Sequence, residues 1–204
     1  MYAGYMYQSG QVHGLESSSI IKGVLDTWYQ DNLQSYTDKI SRDAGFCGDR
    51  EPSTSQTISN GLGGSRTTTT YYGAYIRLVS NKAPTFECQN DSDLYTVSSS
   101  NQGNKALDYP IGLISVDEVA YAGGVYNTAN NSYYLYSNSR YWTMSPYYFS
   151  LYAYYPVFLV EISVSFGNSM TGGTWGVRSV INLASDVRIS GSGTTSDPYT
   201  VVGT

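Results

Sequence analysis

Two cysteines and one histidine are the side chains of this sequence whose types suit metal binding or covalent chemistry. Cys47 and Cys88 are its only cysteines, and His13 is its only histidine. These residues are too few for a zinc site, which is typically built from four cysteine and histidine ligands. We therefore predict a disulfide, which would add about 4 kcal/mol of stability by closing a loop of this length. The alternative is two reduced, buried thiols.

The acidic residues could support acid–base catalysis, since a pair of carboxylates can hydrolyse a glycosidic bond. The candidates are Asp49, Glu51, Asp117, Glu118 and Glu161. Asp117 and Glu118, however, lie at a predicted helix start, where negative charge interacts favourably with the helix dipole. No Gly-x-Ser-x-Gly sequence surrounds a serine, and the single histidine lies near the start of the chain. We predict no enzymatic activity and no cofactor, with a carboxylate pair as the alternative.

Calcium is the metal whose ligands the sequence comes closest to offering. Calcium-dependent sugar-binding lectins carry Glu-Pro-Asn or Gln-Pro-Asp together with Trp-Asn-Asp, but here Ser53 follows Glu51-Pro52 and no Trp-Asn-Asp occurs. Residues 90–93, Asn-Asp-Ser-Asp, lack the remaining positions of a calcium-binding EF-hand loop and are typical of a polar turn. We predict no metal site, with calcium as the alternative.

Length and charge limit the possible classes of partner. A chain of 204 residues can form one domain, which we place at residues 1–204, with a helix- and loop-rich part (1–105) and a β-rich part (106–204). With 11 basic and 16 acidic residues the chain is not expected to bind nucleic acid. No apolar stretch reaches the roughly 18 residues that span a bilayer, so we expect no direct membrane insertion. The sequence does not indicate an oligomeric state.

Tyrosine is concentrated in the second half of the chain. Positions 121–155 hold 11 of the 22 tyrosines, and Glu161 is the only charged residue from Tyr141 to Val177. Such depletion of charge with enrichment of aromatic side chains is typical of an interface core or a paratope. We predict that this region forms a contact surface, although padding of a β-sheet is the alternative for any single tyrosine.

Helical patterns dominate the first half of the chain. Ser17, Ser18 and Ser19 are suitable N-caps for an amphipathic helix over residues 18–33, because apolar residues then recur every three or four positions. A shorter helix is predicted over 35–40, followed by a long loop over 47–70. Residues 71–78 fit either a strand or a short ordered segment. Ser115 and Glu118 form a predicted capping box for a short helix that ends at Gly123 and Gly124.

Strand patterns dominate the second half. We predict strands over 140–146 and 152–166, and in the latter Phe158 and Val160 alternate with Leu159 and Glu161. One face would enter the core and the other would meet solvent. Turns at 167–168 and 172–173 would return the chain through 175–183, and a last strand would cover 199–202. The predicted fold class is α+β.

Several motifs, in order along the chain, resemble a domain common in exported proteins of gut Firmicutes, many of which carry a prepilin-type leader. The motifs are Leu-Asp-Thr-Trp-Tyr (25–29), Phe-Cys-Gly-Asp-Arg (46–50), Tyr-Pro-Ile-Gly-Leu-Ile-Ser-Val-Asp-Glu-Val-Ala-Tyr-Ala-Gly-Gly (109–124), Tyr-Trp-Thr-Met-Ser-Pro (141–146) and Gly-Val-Arg-Ser-Val-Ile-Asn-Leu (176–183). The chain departs from this domain at Ser179, where proline is common, and over 154–175, where a Gly- and Asn-rich hairpin is usual.

The closing Gly-Val-Arg strand is similar to that of formylglycine-generating-enzyme-type C-type lectin folds. This resemblance implies N-terminal helices packed on a twisted antiparallel sheet with long irregular loops. In proteins of that fold, diversity-generating retroelements mutate a C-terminal segment and replace Asn by residues such as Tyr, and the departures over 147–171 resemble that outcome. The activity of formylglycine-generating enzymes is not implied, because their reactive cysteines have no counterpart here beyond Cys47 and Cys88.

The resemblance and the composition together predict a ligand-binding module on a bacterial cell surface, in the extracellular space or on a phage virion. Its partner would be a protein or another cell-surface ligand. The predicted contact residues are Tyr147, Tyr148, Ser150, Leu151, Tyr152, Tyr154, Tyr155, Val157, Leu159, Glu161, Ser163, Ser165, Asn168, Met170 and Thr171. The alternative is a structural or pilus-like subunit whose apolar face mediates assembly. Arg178 and Asn182 are predicted to be structural, with Arg178 stacked on a ring near Trp142 and Trp175.

Overall fold

The chain folds as a mixture of short helices and small antiparallel sheets, which confirms the α+β class. The computed structural model describes residues 19–51, 53, 70–149, 156–162 and 166–202. Most of the predicted loop over 47–70 therefore lies outside the described residues, as do Ser17 and Ser18. No described helix combines the length and the apolar character needed to cross a membrane.

The helices lie mainly in the first part of the chain. They are α1 (Ile20–Asn32), a 3₁₀ helix (Gln34–Lys39), α2 (Gly73–Tyr75), which continues as a π-helix (Ile76–Asn81), a second 3₁₀ helix (Asp91–Asp93) and α3 (Val116–Tyr121). The strands are β1 (Phe46–Cys47), β2 (Thr70–Tyr71), β3 (Leu94–Tyr95), β4 (Gly112–Leu113), β5 (Tyr141–Pro146), β6 (Tyr148–Phe149), β7 (Pro156–Val160), β8 (Phe166–Met170), β9 (Ser179–Val180), β10 (Arg188–Ser190) and β11 (Thr200–Val202).

Local sequence signals explain where α1 and α3 begin. The Ser19 side chain accepts a hydrogen bond from the backbone N–H of Lys22, 3.1 Å away. At α3, Ser115 accepts from the N–H of Glu118 while the Glu118 carboxylate accepts from the N–H of Ser115, which is the predicted capping box. Gly123 then takes a φ of +101°, a conformation that glycine adopts freely and that ends the helix. Both helix predictions are confirmed.

Strands β5, β7 and β8 form the central antiparallel sheet, in the order β5-β7-β8. In β7, Phe158 and Val160 pack into a core that includes Val116 and Val119 of α3. The intervening Val157 and Leu159 pack into a second core, with Ile21, Leu25 and Tyr29 of α1. The prediction that one face of this strand meets solvent is therefore wrong over 157–160. As the middle strand with helices over both faces, β7 is buried on both sides.

The hairpin turn of this sheet lies earlier than predicted. Strand β8 runs back along β7 from Phe166, paired with Val160, to Met170, paired with Pro156. Residues 167 and 168 are thus inside a strand instead of forming the predicted turn. The reason is the buried Phe166 ring, which packs edge-on against Phe158 at a centroid distance of 5.9 Å and so belongs to the returning strand.

Residues 175–183 return beside β5 and β4 and not along β8. The N–H of Gly176 donates to the Arg140 carbonyl, and the Gly176 carbonyl accepts from Trp142, each at 3.0 Å. A Cβ at position 176 would lie 2.7 Å from the Arg140 oxygen, so this approach requires glycine. Strand β9 pairs with β4. The predicted last strand is confirmed as β11, which pairs with β10.

Candidate binding surface and ionic cleft

Four of the predicted contact residues are buried in the structure. Tyr147, Val157, Leu159 and Thr171 each expose less than a tenth of their surface. Val157 and Leu159 lie in the core beside α1, and Tyr147 lies in the core beside α3. These three side chains do not offer a surface to a ligand, because the layers of the fold cover them. The alternating pattern correctly separated two faces but did not reveal that both are covered.

Other predicted contact residues are accessible. Tyr148 and Glu161 are half-buried, and Asn168 and Met170 on β8 are exposed. Glu161 accepts a 2.6 Å hydrogen bond from Arg140, whose guanidinium lies 4.8 Å from the centre of the Trp175 ring. The remaining predicted contacts lie outside the described residues: Ser150, Leu151, Tyr152, Tyr154, Tyr155, Ser163 and Ser165.

Five tyrosines pack together around Tyr147, and we call this group the tyrosine cluster. Its members are Tyr71, Tyr75, Tyr126, Tyr147 and Tyr148. Ring centroids in contact lie between 4.2 Å (Tyr71 to Tyr75) and 6.3 Å (Tyr71 to Tyr147) apart. Tyr147 is buried at the centre, and the other four are half-buried around it. The cluster is thus a rigid aromatic platform with part of each outer ring open to solvent.

The hydroxyl groups of the tyrosine cluster remain neutral at physiological pH. The hydroxyls of Tyr126 and Tyr147 share a hydrogen bond of 2.8 Å. Burial raises the pKa of Tyr147 well above its usual range, and its hydrogen bond to Tyr126 raises it further. Burial is also the main cause of the raised pKa of Tyr71. A partner would therefore meet an uncharged surface that can still donate and accept hydrogen bonds.

Sequence reasoning missed two members of this cluster. Tyr71 and Tyr75 precede the tyrosine-rich segment by more than 45 residues. The pairing of β2 with β6 places Tyr71 directly opposite Tyr148. The four-residue spacing of Tyr71 and Tyr75 was the signal that could have found them, since residues at that spacing share one face of a helical turn.

A second group of polar residues forms a buried ionic triad of Asp49, Arg77 and Asp117. One guanidinium nitrogen of Arg77 donates to both carboxylates, at 2.6 Å to Asp49 and 2.7 Å to Asp117. Asp117 also accepts from the Arg77 Nε at 3.1 Å and from the backbone N–H of Thr85 at 2.9 Å. The carboxylate side chains are less than a tenth exposed. One positive charge is therefore shared between two buried negative ones.

Asp49 is the strained and electrostatically unfavourable member of the triad. Its φ of +53° lies in the left-handed region, which is uncommon for residues other than glycine. Burial raises its pKa to about 6, and the negative charge of Asp117 contributes to the rise, whereas the hydrogen bond from Arg77 opposes it. The pKa is raised because a single guanidinium does not fully compensate the loss of water around the carboxylate.

The raised pKa of Asp49 predicts that acid stabilises this part of the fold. The folded chain holds the Asp49 proton up to about pH 6, whereas the unfolded chain releases it near pH 3.8. Between pH 7.5 and 5 this residue should add about 1.4 kcal/mol to the free energy of unfolding, a gain lost as the pH rises through about 6. Urea denaturation of the wild type and of Asp49→Asn at both pH values measures the difference. An identical pH response of the two proteins would contradict the assigned pKa.

The other catalytic candidates do not join this pair. Glu118 caps α3, Glu161 binds Arg140, and Glu51 is exposed. Asp49 and Asp117 both bind the same guanidinium, so the charge network links three distant segments of the chain. The described residues contain no group of three or more His, Cys, Asp or Glu side chains placed to hold a metal ion. Residues 90–93 form the predicted polar turn, in which Asn90 accepts from the N–H of Ser92.

The disulfide next to this triad is confirmed. Cys47 and Cys88 are bonded, with their Cα atoms 5.5 Å apart. Close to Cys47, the backbone N–H of Arg50 donates to Asp93 at 2.6 Å, and the two side chains form a buried ion pair. The segment after β1 is thus anchored covalently at Cys47 and electrostatically through Asp49 and Arg50.

Arg178 and Asn182 contact structural groups, as predicted. The Arg178 guanidinium lies 5.2 Å from the centre of the Tyr141 ring and donates to the Leu135 carbonyl at 2.6 Å. The stacked ring is therefore a tyrosine and neither Trp142 nor Trp175. The Asn182 side-chain amide lies within 3.4 Å of two backbone carbonyl oxygens, those of Ala44 and Gly45.

Comparisons with known proteins give no assignment. No protein-family model matches the chain, and no curated protein or solved structure shows significant similarity to it.

Proposed function

We propose that the chain is a non-catalytic ligand-binding module of the C-type-lectin-like kind that holds a protein or another cell-surface ligand through its tyrosine-rich region. The observation that carries the proposal is the tyrosine cluster. Half-buried tyrosines are rigid, lose little conformational entropy on binding and combine apolar area with a hydroxyl, which is why they are common in paratopes.

The position of the tyrosine cluster in the chain supports this role. Tyr148 immediately precedes the segment that contains Tyr152, Tyr154 and Tyr155, so the cluster adjoins the rest of the predicted contact segment along the chain. The motifs that resemble exported domains of gut Firmicutes agree with display on a bacterial or phage surface. The disulfide agrees with an oxidising, extracellular location. Diversification by a retroelement would explain the tyrosines over 147–171, and a near-identical template repeat beside the gene would test it.

Truncation of Tyr148 should weaken partner binding strongly. Hot-spot aromatic side chains typically contribute 2 kcal/mol or more, so Tyr148→Ala should lower the affinity by about 30-fold. The partner would first be identified by cross-linked capture from bacterial surface proteins, and the affinity of the purified pair would then be measured by calorimetry.

The matched control for this experiment is Tyr134→Ala. Tyr134 is 73% exposed and is not a member of the tyrosine cluster, so its truncation should leave the affinity nearly unchanged. Both variants should melt within a few degrees of the wild type. Equal losses of affinity in the two variants, or no loss for Tyr148→Ala, would rule out the cluster as the contact surface.

A structural subunit of a cell-surface assembly is the second candidate, and the C-terminal hairpin favours it. Both strands of the β10–β11 hairpin are exposed, including the apolar residues Ile189, Tyr199 and Val201. A lone two-stranded hairpin is marginally stable, so packing against a neighbouring subunit would stabilise it. Sedimentation of the purified domain separates the two functions. Self-association that is abolished by Val201→Asp but not by Tyr148→Ala would favour the structural role.

A further inference from the structure

A pair of exposed, stacked aromatic rings lies away from the tyrosine cluster. The Phe86 side chain is 70% exposed and that of Tyr121 is 52% exposed. Their ring centroids are 4.1 Å apart with planes 16° from parallel. The Tyr121 hydroxyl donates to the Pro84 carbonyl at 2.9 Å, which fixes the orientation of the pair. The rings therefore form a preorganised apolar platform that no described residue covers.

Phe86 also lines a cleft with a strong excess of negative charge. The cleft has a volume of about 100 Å³ and is bounded on one side by the disulfide. Among its described lining residues, the carboxylates are Asp49, Glu87, Asp117 and Glu118, and the one basic side chain is Arg77. Because the guanidinium of Arg77 is already shared between Asp49 and Asp117, the cleft keeps a negative charge that a further cation would offset.

We propose that the Phe86–Tyr121 pair and the adjoining cleft form a docking site for a lysine or arginine side chain of a partner protein. A cation over the face of an aromatic ring is attracted by its quadrupole, and carboxylates behind the ring strengthen that attraction. Phe86 presents one face to Tyr121, so its other face is the one that can receive the cation. This site shares no residue with the tyrosine cluster and does not depend on the ligand proposed for it.

The size of the cleft favours a side chain over a free small molecule. Sites that enclose small ligands usually measure about 300–1,000 Å³, several times the volume found here. A cleft this small can take the end of one extended side chain. The exposed platform beside it then offers flat area on which the backbone of a partner can rest. Complementary charge would also accelerate encounter with a basic protein surface.

An NMR titration with a short peptide tests the site. The probe is an acetylated and amidated Gly-Gly-Lys-Gly-Gly peptide, and the observed signals are the amides of residues 85–88 and the rings of Phe86 and Tyr121. The peptide should shift these signals, and binding should weaken as salt is added. Phe86→Ala should lower the affinity about 2- to 5-fold, in line with an exposed cation–π contact. Glu87→Gln should also lower it and should reduce its dependence on salt.

Two further probes and one variant separate a lysine-specific protein contact from a purely apolar contact and from a site for free amines. The same peptide with norleucine in place of lysine should bind at least 5-fold more weakly, and equal binding would overturn a cationic site. Free n-butylammonium should bind more weakly than the lysine peptide, and equal binding would overturn the assignment to a protein partner. Tyr134→Ala should bind the lysine peptide like the wild type. An unchanged affinity of Phe86→Ala would remove the aromatic platform from the site.

Discussion

Replacing Arg77 with methionine is expected to lower the free energy of unfolding by about 3–5 kcal/mol, the usual cost of leaving buried charges without their partner. Arg77 is the partner of both Asp49 and Asp117, whose side chains are less than a tenth exposed. Methionine keeps the apolar stem and removes the charge together with the hydrogen bonds. Urea denaturation at pH 7.5, with the slope on urea fitted separately for each protein, measures the loss.

The control for Arg77→Met is Arg140→Met. Arg140 also binds a carboxylate at 2.6 Å, but the pair that it forms with Glu161 is 39% and 25% exposed. Exposed pairs contribute about 1 kcal/mol or less, so this variant should lose much less stability. Adding Asp49→Asn and Asp117→Asn to Arg77→Met should restore part of the loss, because the buried charges are then removed. Equal losses for the two arginine variants would refute the role assigned to the triad.

The parts of the fold that were predicted correctly depend on interactions between neighbours in sequence. The start of α1 at Ser19 and the capping box of Ser115 and Glu118 involve residues three positions apart, so the sequence displays them directly. The disulfide was predictable for a different reason, because the chain contains only two cysteines. In each case the number of possible partners is small.

The ionic triad could not be predicted, because its members are brought together by the folded chain alone. Arg77 is 28 residues from Asp49 and 40 residues from Asp117. Each carboxylate had a plausible local role, and for Asp117 the helix start was a sufficient explanation. Two carboxylates that compete for one guanidinium become apparent only once β1, the π-helix and α3 are seen to converge.

The error in β7 has a similar origin. Alternation of side chains assigns residues to two faces, and Val157 and Leu159 do lie on the face opposite Phe158 and Val160. Alternation does not indicate what covers each face. Leu159 is as apolar as its neighbours, and a strand that is apolar at every position is typical of a sheet covered on both sides. The contact surface therefore falls to Tyr148 and the exposed residues of β8.

Loss of the disulfide should cost nearly as much as loss of Arg77. The bonded cysteines are 41 residues apart, and the chain-entropy estimate for a loop of that length is about 4 kcal/mol. Cys47→Ser combined with Cys88→Ser should lower the free energy of unfolding by that amount, as measured by urea denaturation. The slope on urea should rise, since an unfolded chain without the crosslink exposes more surface.

Reduction of the wild type with a phosphine should reproduce the unfolding curve of the double serine variant, and the same reagent should leave the variant unchanged. The effect should also reach Phe86, because Cys88 lies two residues beyond it and the crosslink fixes that segment to β1. The ring signals of Phe86 and Tyr121 should therefore move toward those of free rings on reduction, while the signals of the tyrosine cluster stay in place. An unfolding midpoint that reduction does not change would mean that the crosslink contributes no stability, and that the ionic triad alone holds this segment in position.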